Sequence, residues 1–222
     1  MLYVINKRLR NNNLLMNIKI SELNYNNYSL KDKLTHSELP KFLNEKLKLG
    51  KKWFFYFYMI LLISPLGIIS YTITKNLITK ELSVINCLIY LFLGILIAIM
   101  FIPIHELIHY IAYKISGANS VSFFSNFKKF YFATIADKFV TNLSEFTFIA
   151  LLPFSIVLAG TLILFPFLTL EFQLTSMIFL FVHNIFCSGD FTLLNYMASN
   201  KGMVTYDNKE KGETYFFVKN NS

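Results

Sequence analysis

The longest apolar stretch of the chain, residues 84–115, exceeds the roughly 20 residues that a helix needs to cross a hydrocarbon layer of about 30 Å, and it is not alone. Further stretches of spanning length fall at about 53–74, 146–168 and 174–197. Soluble domains carry about 25% charged residues. Here the charged share is 15%, against 55% hydrophobic, with a mean hydropathy of +0.48. These features predict an all-α polytopic membrane protein with about four transmembrane helices, whose principal partner is the lipid bilayer.

The charge distribution orients it. Of the Lys and Arg residues, 11 precede the first span, two lie in the first connection, four between the second and third spans, none between the third and fourth, and four in the tail. Cytoplasmic segments carry the Lys and Arg excess, so both termini and the loop 114–145 are expected on the cytosolic side of the cell membrane. The net charge of +8 reads as attraction to anionic lipid rather than to nucleic acid. The N-terminal Lys7, Arg8 and Arg10 lead into Asn-rich sequence with no compact apolar core and small-residue cleavage site, so no cleavable signal peptide is expected. Cys87 and Cys187 both fall within spans and read as buried apolar fillers.

The organisation expected is a basic cytosolic arm over 1–52, a four-helix membrane domain over 53–199 and a polar cytosolic tail over 200–222. Pro103 interrupts the long second stretch and predicts a kink or break there, with 105–115 a helical segment near the cytosolic boundary. Residues 121–134 are aromatic, partly alternating and divided at Ser125-Asn126, the pattern of a small β-hairpin. Asn142-Leu143-Ser144-Glu145 has the spacing of a capping box and starts the third span.

Within the second stretch the chain reads His105-Glu106-Leu107-Ile108-His109. Helix residues four apart lie about 40° apart around the axis, so His105 and His109 share a side and can bind one metal ion. Glu106, about 100° around, can serve as general base to a water activated by that metal, the division of labour in HExxH peptidases. Zinc sites of this kind use three protein ligands. The candidates for the third are His36 in the arm, Asp137 in the loop, and His183 and Asp190 in the fourth span.

Depth along the spans separates the last two. At 1.5 Å per residue, His105 lies about 31 Å from the start of its span, Asp190 about 24 Å and His183 about 14 Å. Asp190 is therefore the better third ligand. His183, Cys187 and Asp190 share a face, and Asn184 lies beside it. Asn184 or His183 could line the cavity and hold substrate or a developing oxyanion, or simply tie helices together.

Pro103 through His109, Pro153, Asn184 and Ser188-Gly189-Asp190 together resemble the zincin peptidases of small bacterial membrane proteins, akin in style to the site-2 proteases. The resemblance covers about residues 53–196. It implies a metalloprotease fold with a Zn2+ cofactor, a peptide or membrane-protein substrate, and Asp190 in the role of the Asp that completes the zinc site from a later helix. Site-2 proteases carry that residue in an LDG motif, where this chain has Ser-Gly-Asp. The alternatives are a non-catalytic metal-binding accessory or immunity protein, and an ion-handling transporter component.

Overall fold

A computed structural model describes residues 20–23, 28–126 and 131–220. The Asn-rich start lies outside the described residues. The chain divides into two compact units, one of Met1–Lys51, Glu106–Leu152 and Asp190–Ser222, the other of Lys52–His105 and Pro153–Gly189.

The first unit contains a sheet that corrects the all-α expectation. Strand β1 (Tyr28–Thr35) is followed by a 3-10 turn, His36–Glu38, and helix α1 (Leu39–Leu49). The polar tail folds as a hairpin of β5 (Met203–Asn208) and β6 (Glu213–Lys219). With β4 (Thr141–Asn142) these form an antiparallel sheet in the order β1-β6-β5-β4. Arm and tail, expected as separate polar segments, thus pair strand to strand from Tyr28↔Lys219 to Thr35↔Glu213.

The hairpin turns where Gly212 adopts φ 62°, a left-handed conformation in which Gly carries no side-chain penalty. Phe216 of β6 is buried and stacks on Phe42 of α1 at 5.5 Å between centroids. Lys46 of α1 is buried against Phe42, donates to Asp32 at 2.8 Å, and lies 4.8 Å from the ring centroid of Tyr196. A buried ammonium paired with a carboxylate and laid over aromatic faces is satisfied on both counts.

The same unit holds most of helix α4 (Ile102–Ser116), the strands β2 (Val121–Asn126) and β3 (Tyr131–Ala136), and the start of α5 (Leu143–Leu164). α4 ends where Gly117 takes φ 102° and Ala118 N–H bonds the carbonyl of Tyr113, a glycine-terminated C-cap. β2 and β3 form the expected two-stranded hairpin, in register from Val121↔Ala136 to Asn126↔Tyr131. Ser125 and Asn126 belong to β2 and do not divide the hairpin, because both are paired. Asn142 and Glu145 make the expected capping box: Glu145 N–H bonds Asn142 Oδ1 and Asn142 N–H bonds Glu145 Oε2, each at 3.0 Å. Ala112 and Tyr113 of α4 pack with Ala118, Ala136 and Ile149, which fixes α4 against the hairpin and α5.

The second unit is helical: α2 (Lys52–Thr79), α3 (Val84–Met100), the first turn of α4, α5 from Pro153 onward, α6 (Leu170–Phe186) and the start of α7 (Ser188–Ser199). Its core joins Ile69 of α2, Val157 of α5 and Leu174, Met177 and Leu180 of α6. Gly94 lets α3 meet α6 closely, since a Cβ there would stand 2.5 Å from the carbonyl oxygen of Thr175.

Among the described residues three helical segments are long and apolar enough to cross a membrane, Lys52–Thr79, Val84–Ser116 and Leu143–Phe167, and a fourth if α6 and α7 count as one broken span. Large apolar side chains such as Trp53, Ile60, Ile85 and Phe92 are exposed along α2 and α3. The break expected from Pro103 is present: the second apolar stretch is interrupted at Phe101, within the turn that precedes the proline, where its missing N–H and its ring disrupt a helix. Phe101 N–H bonds the carbonyls of Ile97 and Ala98, and Pro103 sits in the first turn of α4. A first turn makes no intrahelical use of N–H groups, so the proline costs nothing there.

Candidate metal centre

His105, Glu106 and His109 all lie on the single unbroken helix α4, so their mutual placement is set by helix geometry. Within the first unit, His109 and Asp190 meet: His109 Nε2 is 3.4 Å from Asp190 Oδ2. His109 is buried and Asp190 half-buried, in the first turn of α7.

The other ring nitrogen of His109 is already committed. Nδ1 lies 3.0 Å from the carbonyl oxygen of Ile149. A carbonyl can only accept, so Nδ1 carries the proton, and a neutral His109 turns an unprotonated Nε2 toward a carboxylate. Two acceptors facing one another at that distance call for a cation or a proton between them. Two ligand atoms on one tetrahedral zinc, with bonds of about 2.0–2.2 Å, stand about 3.3–3.6 Å apart. The observed separation and donor types therefore fit zinc.

Ile149 can serve His109 because of Pro153. In α5 the carbonyl of residue 149 would ordinarily accept from the N–H of residue 153, and proline has none. The carbonyl is left for the imidazole, which matches the rule that a metal-binding histidine gives its second N–H to a fixed acceptor. Pro153→Ala restores the competing N–H. Zinc affinity is expected to fall by about 10-fold, at the lower edge of effects from such outer partners, while the melting temperature stays level or rises. Chelator competition beside a thermal melt checks both.

Glu106 has a partner of its own. Thr134 Oγ1 of β3 lies 2.9 Å from both Glu106 Oε2 and the Glu106 carbonyl oxygen. A hydroxyl has one proton to donate, so it alternates between the two acceptors and ties the carboxylate to the strand. Neither Thr134 nor Ile149 has a local motif to announce it. Pro153, mid-helix and costly there, was the one signal available.

The remaining candidates lie elsewhere. His36 Nε2 is 3.1 Å from Thr214 Oγ1 in the sheet, and Asp137 Oδ1 accepts from the N–H of Lys209. In the second unit Asn184 is buried, its Nδ2 donating to the Leu61 carbonyl at 3.1 Å. That carbonyl is freed by Pro65, as Ile149 is by Pro153. One N–H of the Asn184 amide is thus engaged in joining α6 to α2. His183 Nε2 lies 3.1 Å from His105 Nδ1, with Cys187 alongside, so His183 packs behind a candidate ligand.

Residues 97–203 match the profile of a protein family described as "Putative zincin peptidase". The matched segment includes α4, the hairpin, α5, α6 and α7. No curated protein and no solved structure matches the chain.

Proposed function

We propose that the chain is a membrane-embedded zinc metallopeptidase that hydrolyses peptide bonds near the cytosolic face. His105, His109 and Asp190 hold the metal and Glu106 is the general base. The observation that carries this reading is His109, whose Nδ1 is spent on Ile149 and whose Nε2 faces the Asp190 carboxylate at 3.4 Å. His105 stands one helical turn before His109 on the same side of α4, and the match of residues 97–203 to the zincin peptidase profile supports the chemistry.

Zinc, when bound, supplies Lewis acidity that makes water acidic near neutral pH and polarises a peptide carbonyl. The chain's own residues do the rest. Glu106 takes the proton of the attacking water and passes it to the departing amine as the C–N bond breaks. Thr134 keeps the Glu106 carboxylate turned to that task between the two transfers. The two-stranded hairpin has outward strand edges on which an extended substrate could be held by backbone pairing. A helical substrate hides its amides in its own hydrogen bonds and must be extended in this way before attack.

Thr134→Val keeps the shape and removes the donor. A hydrogen bond to a charged group contributes about 1.5–3 kcal/mol, so kcat is expected to fall about 10-fold or more with zinc content unchanged. Hydrolysis of single-span peptides in proteoliposomes, with products read by mass spectrometry, measures this beside metal analysis. The test of the whole reading is metal analysis of purified protein. One zinc per chain, lost in His105→Ala and in Asp190→Ala, is the expected result, and zinc that survives both substitutions would overturn it. A wild-type phenotype retained in a zinc-loaded Glu106→Gln variant would favour a non-catalytic metal-binding role.

A further inference from the structure

We propose that His183 and Cys187 are a positioning pair behind His105: the sulfur selects which nitrogen of His183 carries the proton, and His183 thereby holds the ring of His105 for the metal. The proposal rests on the reading of His105 as a zinc ligand and goes beyond it.

The three residues belong to the helical unit and are almost wholly buried, His105 at 6%, His183 at 1% and Cys187 at 0% exposure. His105 Nδ1 is 3.1 Å from His183 Nε2. A metal-binding imidazole gives its second N–H to an acceptor that fixes its tautomer and rotation. For His109 that acceptor is a backbone carbonyl, which has no other state. For His105 it is another imidazole, which accepts at Nε2 only when its own proton sits on Nδ1.

Cys187 supplies the reason for the proton to sit there. Its Sγ lies 3.7 Å from His183 Nδ1 and 4.0 Å from Nε2; with Nε2 turned to His105 Nδ1, the sulfur is the acceptor for a proton on Nδ1. Cys187 caps α6 one turn after His183, and its N–H bonds the His183 carbonyl at 3.1 Å, so backbone and side chain hold the pair together. The ring of Phe101 meets the His183 imidazole edge-on at 5.8 Å and that of Phe179 lies tilted against it at 6.0 Å. In such apolar surroundings the wrong tautomer would set one N–H against another with little water to separate them, which is costly.

The test uses the full chain in detergent, with zinc affinity measured by chelator competition and ligand geometry read from the visible absorption of the cobalt(II)-substituted protein. His183→Leu removes the acceptor, and affinity should fall about 10–100-fold, the range for lost outer partners of a ligand, with a changed cobalt spectrum. His183→Gln offers an amide oxygen in its place and should recover most of that loss. Cys187→Ala should fall between the two.

Wild-type affinity and an unchanged spectrum in both His183→Leu and Cys187→Ala would overturn the proposal. So would a second metal equivalent per chain that disappears in Cys187→Ala, since ligand atoms of the three residues lie within 4.8 Å of one another and would then form a metal site of their own. Should His183→Leu fail to fold, His183→Gln and Cys187→Ala decide the matter: wild-type behaviour in the second overturns it. Zinc lost in His105→Ala and Asp190→Ala but untouched here would sink only this pair, whereas zinc indifferent to all of these variants removes the site reading and the pair with it.

Discussion

Glu106→Gln is expected to keep one zinc per chain and to lose peptide hydrolysis by about 100- to 10,000-fold, the usual contribution of a positioned acid–base group. The substitution preserves the shape of the side chain and an acceptor for the Thr134 hydroxyl, which lies 2.9 Å from Glu106 Oε2. It removes only the capacity to take a proton. On α4 Glu106 sits about 100° around from His105, so its loss leaves the metal-binding face of the helix intact. Metal analysis and single-turnover cleavage on the same preparation separate the two effects. Zinc lost along with activity would count Glu106 among the ligands; activity kept with zinc in place would remove it from the reaction.

Asp190→Ala is the second large effect. With the carboxylate gone, His109 Nε2 loses the partner at 3.4 Å, and the proposed zinc site loses the negative charge that Asp190 would bring to it. Affinity is expected to fall by more than the roughly 100-fold upper range for loss of an outer partner. Asp190→Asn, which keeps an oxygen but no charge, should fall less. His109 remains tied to Ile149 in both, so the fold of α4 against α5 is retained. Thermal melts of the metal-free variants that match wild type, beside chelator titrations that differ, would bear this out. Equal zinc affinity in all three proteins would exclude Asp190 as a ligand.

Much of the helical architecture was legible because its signals are local. Apolar runs of spanning length, and the Asn142-to-Glu145 box at the head of α5, each act within a few turns. The hairpin after α4 was legible too, though its strands run past Ser125 and Asn126. The long sheet was missed. Ser29 of β1 and Asn220, just past the end of β6, bond across 191 residues, and the two short strands read as arm and tail until they are paired. Pro103 marked the break between α3 and α4, whereas Pro65 and Pro153 act mid-helix by freeing the carbonyls of Leu61 and Ile149 for Asn184 and His109, partners that no spacing along the chain identifies.

By itself, the sequence determined that His105, Glu106 and His109 share a helix and that His105 and His109 share a side of it, because a period of 3.6 residues is a property of the backbone and needs no other part of the chain. It could rank Asp190 by depth along a span, and no more. Only the tertiary structure decided that the carboxylate of Asp190 meets His109, that Ile149 takes the proton on the other side of that ring, that Thr134 holds Glu106 and that His183 lies behind His105. Those choices depend on which helix faces pack together, and packing is settled by the fit of distant side chains rather than by any spacing along the chain.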